Sequence, residues 1–177
     1  YLYSKFNLNS IVNTVKFASF KRNFVVVILH WGNEGQINPT SSQEKIAKIL
    51  IESGANLIIG HHPHIFFRID RFKQSIVAYS LGNFVFDLPW DKKLRKSGIL
   101  DIEILSDHSF GKVQIWPINL NYNGKPSLDG KPSTLFLDSQ SFSLYDYHHP
   151  IRYENVKKLF FFIFFLVKGY TSIKLRF

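Results

Sequence analysis

The chain has 177 residues, of which 45% are hydrophobic and 20% charged, so it is long enough for one globular domain and is not disordered. It contains no cysteine, which excludes disulfides and thiolate metal ligands and leaves His, Asp, Glu and Asn to hold any metal. The net charge of +9 favours anionic partners, but the basic residues form no Arg-rich helix or aromatic RNA-binding strand. We therefore do not expect nucleic-acid binding, whereas attraction to an anionic polymer or membrane stays open.

The first part of the chain alternates between helix and strand. An amphipathic helix is predicted over Asn7–Phe20, and the β-branched run Phe24–Leu29 is typical of a strand buried on both faces. A second helix is predicted to begin with a Ser-x-x-Glu capping box over Ser41–Glu44, and Ala55–Ile59 is a second short apolar strand. A strand, a helix and a strand in this order predict a βαβ unit with parallel strands.

The following part of the chain predicts antiparallel strands. Two pairs of apolar segments are each joined by a short polar turn, namely Ile65–Phe72 with Ser75–Tyr79 and Gly98–Leu105 with Lys112–Leu120. In the third of these segments Asp101 and Glu103 alternate with apolar residues, so we expect both carboxylates to face solvent. A βαβ unit followed by antiparallel strands predicts the α/β class, in the form of a two-sheet α/β sandwich.

We divide the chain into a main domain at 1–140 and a Phe-rich tail at 141–177. Within the tail, Leu159–Val167 is a run of nine apolar residues between two lysines, shorter than the roughly 20 apolar residues that span a bilayer. We expect a buried helix or strand here, with an interfacial segment that grips lipid as the alternative. The pair His148-His149 lies in a polar stretch and is expected at the surface.

Four histidines follow the two predicted parallel strands. His30 ends the first strand, and His61, His62 and His64 follow the second. Ligands bind beyond the carboxyl ends of the strands in open α/β sheets, so both groups are expected to face one crevice. If the stretch around the intervening proline is extended, His62 and His64 share one side. One histidine alone reads as an ordinary surface residue, but four at two strand ends predict a metal or phosphate site.

Three stretches in this order resemble the motifs of a known family. His30–Glu34 (HWGNE) resembles the motif HWG-x-E, and Gly54–His64 (GANLIIGHHPH) resembles GAD-x-(I/V)-x-G-HHPH. Tyr79–Asp87 resembles the family segment YSLGNFVFD. Because order and spacing match across Phe24–Asp87, the chain resembles the CapA family of capsule-synthesis proteins, a branch of the calcineurin-like metallophosphoesterases.

The resemblance implies a calcineurin-like fold around two divalent metal ions, with Mn, Fe and Zn as candidates. It implies that His30, His62 and His64 bind metal. Of the His-x-His pair His62 and His64, either one binds each metal, or one is a ligand and the other acts on the leaving group. His61 is assigned a catalytic role, with contact to substrate or support of a ligand as the alternative. Glu34 is assigned as a catalytic acid–base group or a residue that orients a ligand, and a solvated loop carboxylate is the alternative.

Three more residues are assigned around this centre. Asn83 and Trp31 are assigned to substrate binding, although Asn83 could also support a ligand or form a turn after Gly82. Asp87 is expected to hold a metal-bound histidine by its ring N–H, and a plain strand-end aspartate is the alternative.

The departures from the family pattern concern the first metal ligands. The family supplies them from a strand-end Gly-Asp motif and from an Asn-containing loop near an Asn-Leu-Glu, and neither occurs in the sequence. The chain also lacks methionine and begins at Tyr1. We therefore expect a processed or partial chain that carries the C-terminal part of the domain and is a poor catalyst alone.

The resemblance implies a role in the synthesis or export of an anionic capsule polymer, poly-γ-glutamate, through phosphoesterase-type metal chemistry. The alternative is a non-catalytic assembly component of a capsule synthesis or export complex. The implied partners are an anionic polymer or a phosphoester substrate, and the implied location is the cell envelope or membrane. No signal sequence is visible in the chain.

Overall fold

The computed structural model describes residues 7–86 and 91–135 with their side chains, and the strands at 141–142, 160–166 and 172–176 by their backbone. The helices are α1 Leu8–Phe20, α2 Ser41–Glu52 and a 3₁₀ helix at Lys92–Arg95. The first four strands are β1 Phe24–His30, β2 Leu57–His61, β3 Phe66–Phe72 and β4 Ser75–Leu81. The later strands are β5 Lys96–Leu105, β6 Phe110–Leu120, β7 Pro126–Leu128, β8 Ser133–Thr134, β9 Ser141–Phe142, β10 Phe160–Leu166 and β11 Ser172–Arg176.

The strands form two sheets. The six-stranded sheet has the order β10-β1-β2-β4-β3-β9, in which β1, β2 and β4 are parallel and the other neighbours are antiparallel. The second sheet has the order β11-β5-β6-β7, with β8 also paired to β6, and is antiparallel throughout. The α/β class and the two-sheet sandwich are thereby confirmed, and β1, α2 and β2 form the predicted βαβ unit.

The six-stranded sheet packs against a different partner on each face. On one face, Val25 of β1 joins a buried cluster with Val15 of α1 and Leu50 of α2. On the other face, Val26 joins a second cluster that contains Leu100 of β5. Each fully buried aliphatic side chain contributes about 1.5–3 kcal/mol. Since both faces of β1 are covered, the strand is a continuous hydrophobic run, as the sequence predicts.

The helix starts follow from their caps. The Oδ1 of Asn7 accepts a hydrogen bond from the backbone N–H of Ser10 at 3.1 Å and begins α1 as expected. The capping box of α2 was predicted one residue too late, because Thr40 and Gln43 form it through reciprocal hydrogen bonds of 3.2 and 2.9 Å. The side chain of Glu44 is instead engaged by Arg68 of β3. Gln43 therefore caps the helix, whereas its neighbour Glu44 links the helix to β3.

The prediction that Asp101 faces solvent is wrong. Its side chain is 3% exposed and its Oδ2 accepts a hydrogen bond from the indole of Trp116 on the neighbouring strand, at 3.4 Å. Because β5 pairs with β6, a side chain of that neighbouring strand covers a position that alternation along β5 alone marks as outward. Glu103 is half-buried and accepts from the backbone N–H of Lys112 at 3.1 Å.

The predicted tail contributes strands to both sheets. The apolar run forms a strand, β10, which pairs with β1 from Phe24↔Leu166 to His30↔Phe160. The strand β11 pairs with β5 in the second sheet. Within the described part of the chain, no helix is long and apolar enough to cross a membrane. The pair His148-His149 lies outside the described residues.

Candidate metal centre

The two parallel strands that carry histidines end side by side. In the β1–β2 register the last paired residues are His30 and His61, and the backbone N–H of Trp31 extends the pairing by donating to the His61 carbonyl at 2.9 Å. The two loops that follow are joined by a hydrogen bond of 2.9 Å from the N–H of Gly35 to the carbonyl of Pro63. The structure thus brings the HWG-x-E loop and the HHPH loop to one sheet edge.

The histidine rings form a cluster at this edge. The ring centroids of His30 and His62 lie 4.5 Å apart, and those of His62 and His64 lie 6.0 Å apart. The prediction that His62 and His64 share one side required an extended stretch. The stretch is not extended, because His62 has φ +101° and His64 has φ +62°. Non-glycine residues seldom adopt the left-handed region, and such strain costs about 1–3 kcal/mol and is concentrated at functional sites.

Three side chains converge closely enough to bind one ion. Glu34, His62 and His64 each offer a ligand atom, and these atoms lie within 4.8 Å of one another. Two imidazoles with one carboxylate form a donor set typical of divalent transition metals. The Nε2 of His62 is buried and has no hydrogen-bond partner among the described residues. An unpaired buried nitrogen is costly unless something binds it, so the donor set fits a metal ion.

The fold favours the neutral form of His30, His61 and His62. Burial, followed by the charges of His62, His61 and His64, lowers the pKa of His30 to about 4. Burial is also the largest cause that lowers the pKa of His61 and of His62, with His64 adding to both. Glu34 opposes the shift at His62. Neutral imidazole is the form that coordinates a cation, so a lowered pKa at His30 and His62 is compatible with metal binding at neutral pH.

The loop that carries Glu34 is fixed by glutamine side chains. The Oε1 of Gln36 accepts from the backbone N–H of Asn33 at 3.0 Å, and its Nε2 donates to Gln43 of α2 at 2.7 Å. Gly32 has φ +87°, and a Cβ there would stand 2.8 Å from Nε2 of Gln43. The sequence analysis did not find these glutamines, because hydrogen bonds between a loop and a helix leave no periodic pattern.

The remaining assigned residues fall into three places. Asn83 is 6% exposed and contacts His64, with 2.7 Å between its Oδ1 and the ring Nδ1. Trp31 is 1% exposed and lies in the core beneath the crevice, where it packs on Tyr79 instead of lining the surface. Asp87 lies outside the described residues.

Two neighbours of the cluster were missed by the sequence analysis. The ring of Phe86 lies 4.7 Å from that of His64, and the carbonyl of Leu94 in the 3₁₀ helix accepts from Asn83 at 3.1 Å. No spacing or periodicity in the sequence connects the stretch around Leu94 with the histidines.

A two-sheet α/β fold whose parallel strands end in a cluster of histidines is compatible with the calcineurin-like sandwich of the metallophosphoesterases. The family described as bacterial capsule synthesis protein PGA_cap matches residues 3–88, so the chain is similar to that family over this region. It is 41% identical over 114 residues to the capsule biosynthesis protein CapA of Bacillus anthracis, an alignment that covers 64% of this chain and 26% of that protein.

A second relative gives the same picture. The chain is 36% identical over 97 residues to the PGA biosynthesis protein CapA of Bacillus subtilis (strain 168), covering 55% of this chain and 25% of the relative. The chain therefore spans about a quarter of the length of these curated relatives. The shared region includes the stretches that build the histidine crevice.

Proposed function

We propose that the crevice is a divalent-metal site of the phosphoesterase type and that the protein acts in the biosynthesis of an anionic capsule polymer. The observation that carries the proposal is the convergence of Glu34, His62 and His64 within 4.8 Å of one another. The buried Nε2 of His62, which has no hydrogen-bond partner in the part of the chain that the structure describes, adds to it. The names of the Bacillus relatives, one for capsule and one for PGA biosynthesis, supply the biological setting.

The histidines and Glu34 would have separate roles in metal binding and proton transfer. Glu34, His62 and His64 would hold one ion, and His30, whose ring is 4.5 Å from that of His62, would be available to bind a second. A bound divalent ion supplies Lewis-acid polarisation of a phosphoryl or acyl oxygen and acidifies a bound water. The lowered pKa of His61 keeps its ring neutral near pH 7, the form that accepts a proton.

The basic 3₁₀ helix supports an anionic substrate. Lys92, Lys93 and Arg95 lie on this short segment, and Asn83 ties its Leu94 carbonyl to the histidine cluster at 3.1 Å. Positive charge beside a crevice attracts anionic ligands and raises their local concentration. A phosphoester and a polycarboxylate both have the charge that this segment would attract.

The test of the metal site is a calorimetric titration of the chain with Mn²⁺. Glu34→Ala should weaken binding by at least about tenfold, because it removes one of three ligands, and Glu52→Ala on the exposed end of α2 is the matched control. Equal affinity in Glu34→Ala and Glu52→Ala would overturn the assignment of Glu34 as a ligand.

A non-catalytic assembly role is the second candidate. A dinuclear hydrolase brings two ions to about 4 Å of each other and needs a bridging carboxylate to do so. Glu34 is the single carboxylate in the metal-ligating group found among the described residues, and this favours the assembly role. Full metal occupancy without hydrolysis of a phosphodiester probe such as bis-p-nitrophenyl phosphate would support assembly. Hydrolysis lost in His61→Ala but kept in His108→Ala would support catalysis.

A further inference from the structure

We infer that Asn83 is a positioning residue that fixes the tautomer of His64. In this tautomer Nδ1 carries the hydrogen and Nε2 carries the lone pair that can bind a metal ion. The Nδ2 of Asn83 lies 3.2 Å from the backbone carbonyl of His64 and 3.1 Å from that of Leu94. Carbonyl oxygens only accept hydrogen bonds, so the amide group that faces them must be the donor.

The orientation of the amide determines the protonation of the ring. With Nδ2 directed at two carbonyls, the Oδ1 of Asn83 faces the Nδ1 of His64 at 2.7 Å. Oδ1 can only accept, so Nδ1 must carry a hydrogen. A neutral imidazole has one N–H and one lone pair, and the lone pair therefore lies on Nε2.

The burial of Asn83 argues for positioning and against substrate binding. The side chain is 6% exposed, and both ends of the amide are engaged by His64 and Leu94. Gly82 before it has φ +75°, and a Cβ at this position would stand 2.8 Å from Cβ of Ser97 and 3.1 Å from the N of Phe66. The glycine lets the backbone turn tightly enough to place the amide beside Nδ1 of the ring.

Asn83 also couples two parts of the site. The same amide holds the carbonyl of Leu94, so the basic 3₁₀ helix and the metal-binding ring are held in register by one side chain. The consequence for metal affinity rests on the proposed metal site, whereas the tautomer of His64 is a property of the metal-free chain. The two can fail independently.

The tautomer can be read directly by long-range ¹H–¹⁵N NMR of the metal-free chain at about pH 8, where an ordinary histidine is neutral. We expect His64 as the Nδ1–H form in the parent chain. Asn83→Asp keeps an acceptor for Nδ1 and should keep this form, whereas Asn83→Ala should give a mixture or the Nε2–H form. Asn121→Ala, in the β6–β7 turn, is the matched asparagine control and should leave His64 unchanged.

A parallel Zn²⁺ titration separates the two proposals. Loss of a residue that orients a metal ligand typically costs 10–100-fold in metal affinity, so Asn83→Ala should bind Zn²⁺ about 10–100-fold more weakly. Rescue by Asn83→Asp distinguishes positioning from a general loss of folding. The inference would be overturned if His64 is the Nε2–H tautomer in the parent chain. It would also be overturned if neither Asn83→Asp nor Asn83→Ala changes the tautomer of His64. If the tautomers are as predicted but the chain does not bind Zn²⁺, the inference about His64 stands and the proposed metal site is overturned.

Discussion

The indole Nε1 of Trp31 donates a hydrogen bond to the backbone carbonyl of Tyr79 at 3.0 Å, and the two rings stack with centroids 5.8 Å apart. The contact lies where β2 and β4 separate, since their last register partners are Ile59 and Ala78. The indole thus provides a hydrogen-bond donor to the Tyr79 carbonyl just beyond the last β2–β4 pair, close to the loops that carry the histidines. The floor of the crevice is therefore a buried part of the core.

Gly60 is predicted to be intolerant of any side chain. A Cβ at this position would stand 1.9 Å from the Tyr79 carbonyl oxygen and 2.3 Å from Nε1 of Trp31, so neither a backbone atom nor a packed ring could give way cheaply. Gly60→Ala should lower the free energy of unfolding by about 1–3 kcal/mol or more, as measured by urea denaturation. A variant as stable as the parent would show that the indole does not lie against this glycine.

The ion pairs of Arg68 should matter more than surface pairs do. Its guanidinium contacts Glu44 on α2 and, at 2.8 Å, Oδ2 of Asp70, which is 6% exposed. Arg68→Met leaves a buried carboxylate unpaired and should cost about 3–5 kcal/mol in urea denaturation. Arg68→Met with Asp70→Leu should recover part of the loss, because it removes the unpaired charge.

The matched control for this pair is on the helix surface. Lys48 and Glu52 form an exposed pair at 3.9 Å, and Lys48→Met should change stability by less than about 1 kcal/mol. Equal losses from Lys48→Met and Arg68→Met would contradict the role given to the buried pair.

The histidine cluster predicts that the metal-free chain loses stability in mild acid. The pKa of His30 is about 4 in the fold against 6.5 in the unfolded chain, so between these values the unfolded state binds more protons. Stability is therefore greatest above pH 6.5 and falls as pH is lowered towards 4, and His61 and His62 act in the same direction. Asp70 acts in the opposite direction just above 3.8, because burial raises its pKa.

The measurement is the urea midpoint at about pH 7 and about pH 5 for the parent, His30→Asn and His108→Asn. His30→Asn should reduce the difference between the two pH values, whereas His108→Asn, in the β5–β6 turn, should not. The same pH dependence in all three proteins would show that His30 is not held neutral by the fold.

The sequence predicted the elements that place the histidines but not the contacts that orient them. The runs ending at His30 and His61 are continuous and apolar, so strand ends and a shared edge follow from pattern alone. The left-handed backbone of His62 and the contact from Asn83 to Leu94 depend on loops folding back. Asp101 was misread because the ring that covers it belongs to another strand.

The proposed function depends on the histidine crevice binding metal, and metal content by plasma mass spectrometry tests this most directly. The parent chain and His108→Ala should retain a divalent metal in stoichiometric amount after purification, because His108 lies against Phe24, at the opposite end of β1 from His30. The double variant His62→Ala, His64→Ala should lose the metal, since it removes two of three ligands. A parent chain without metal, or a double variant that keeps it, would contradict the account.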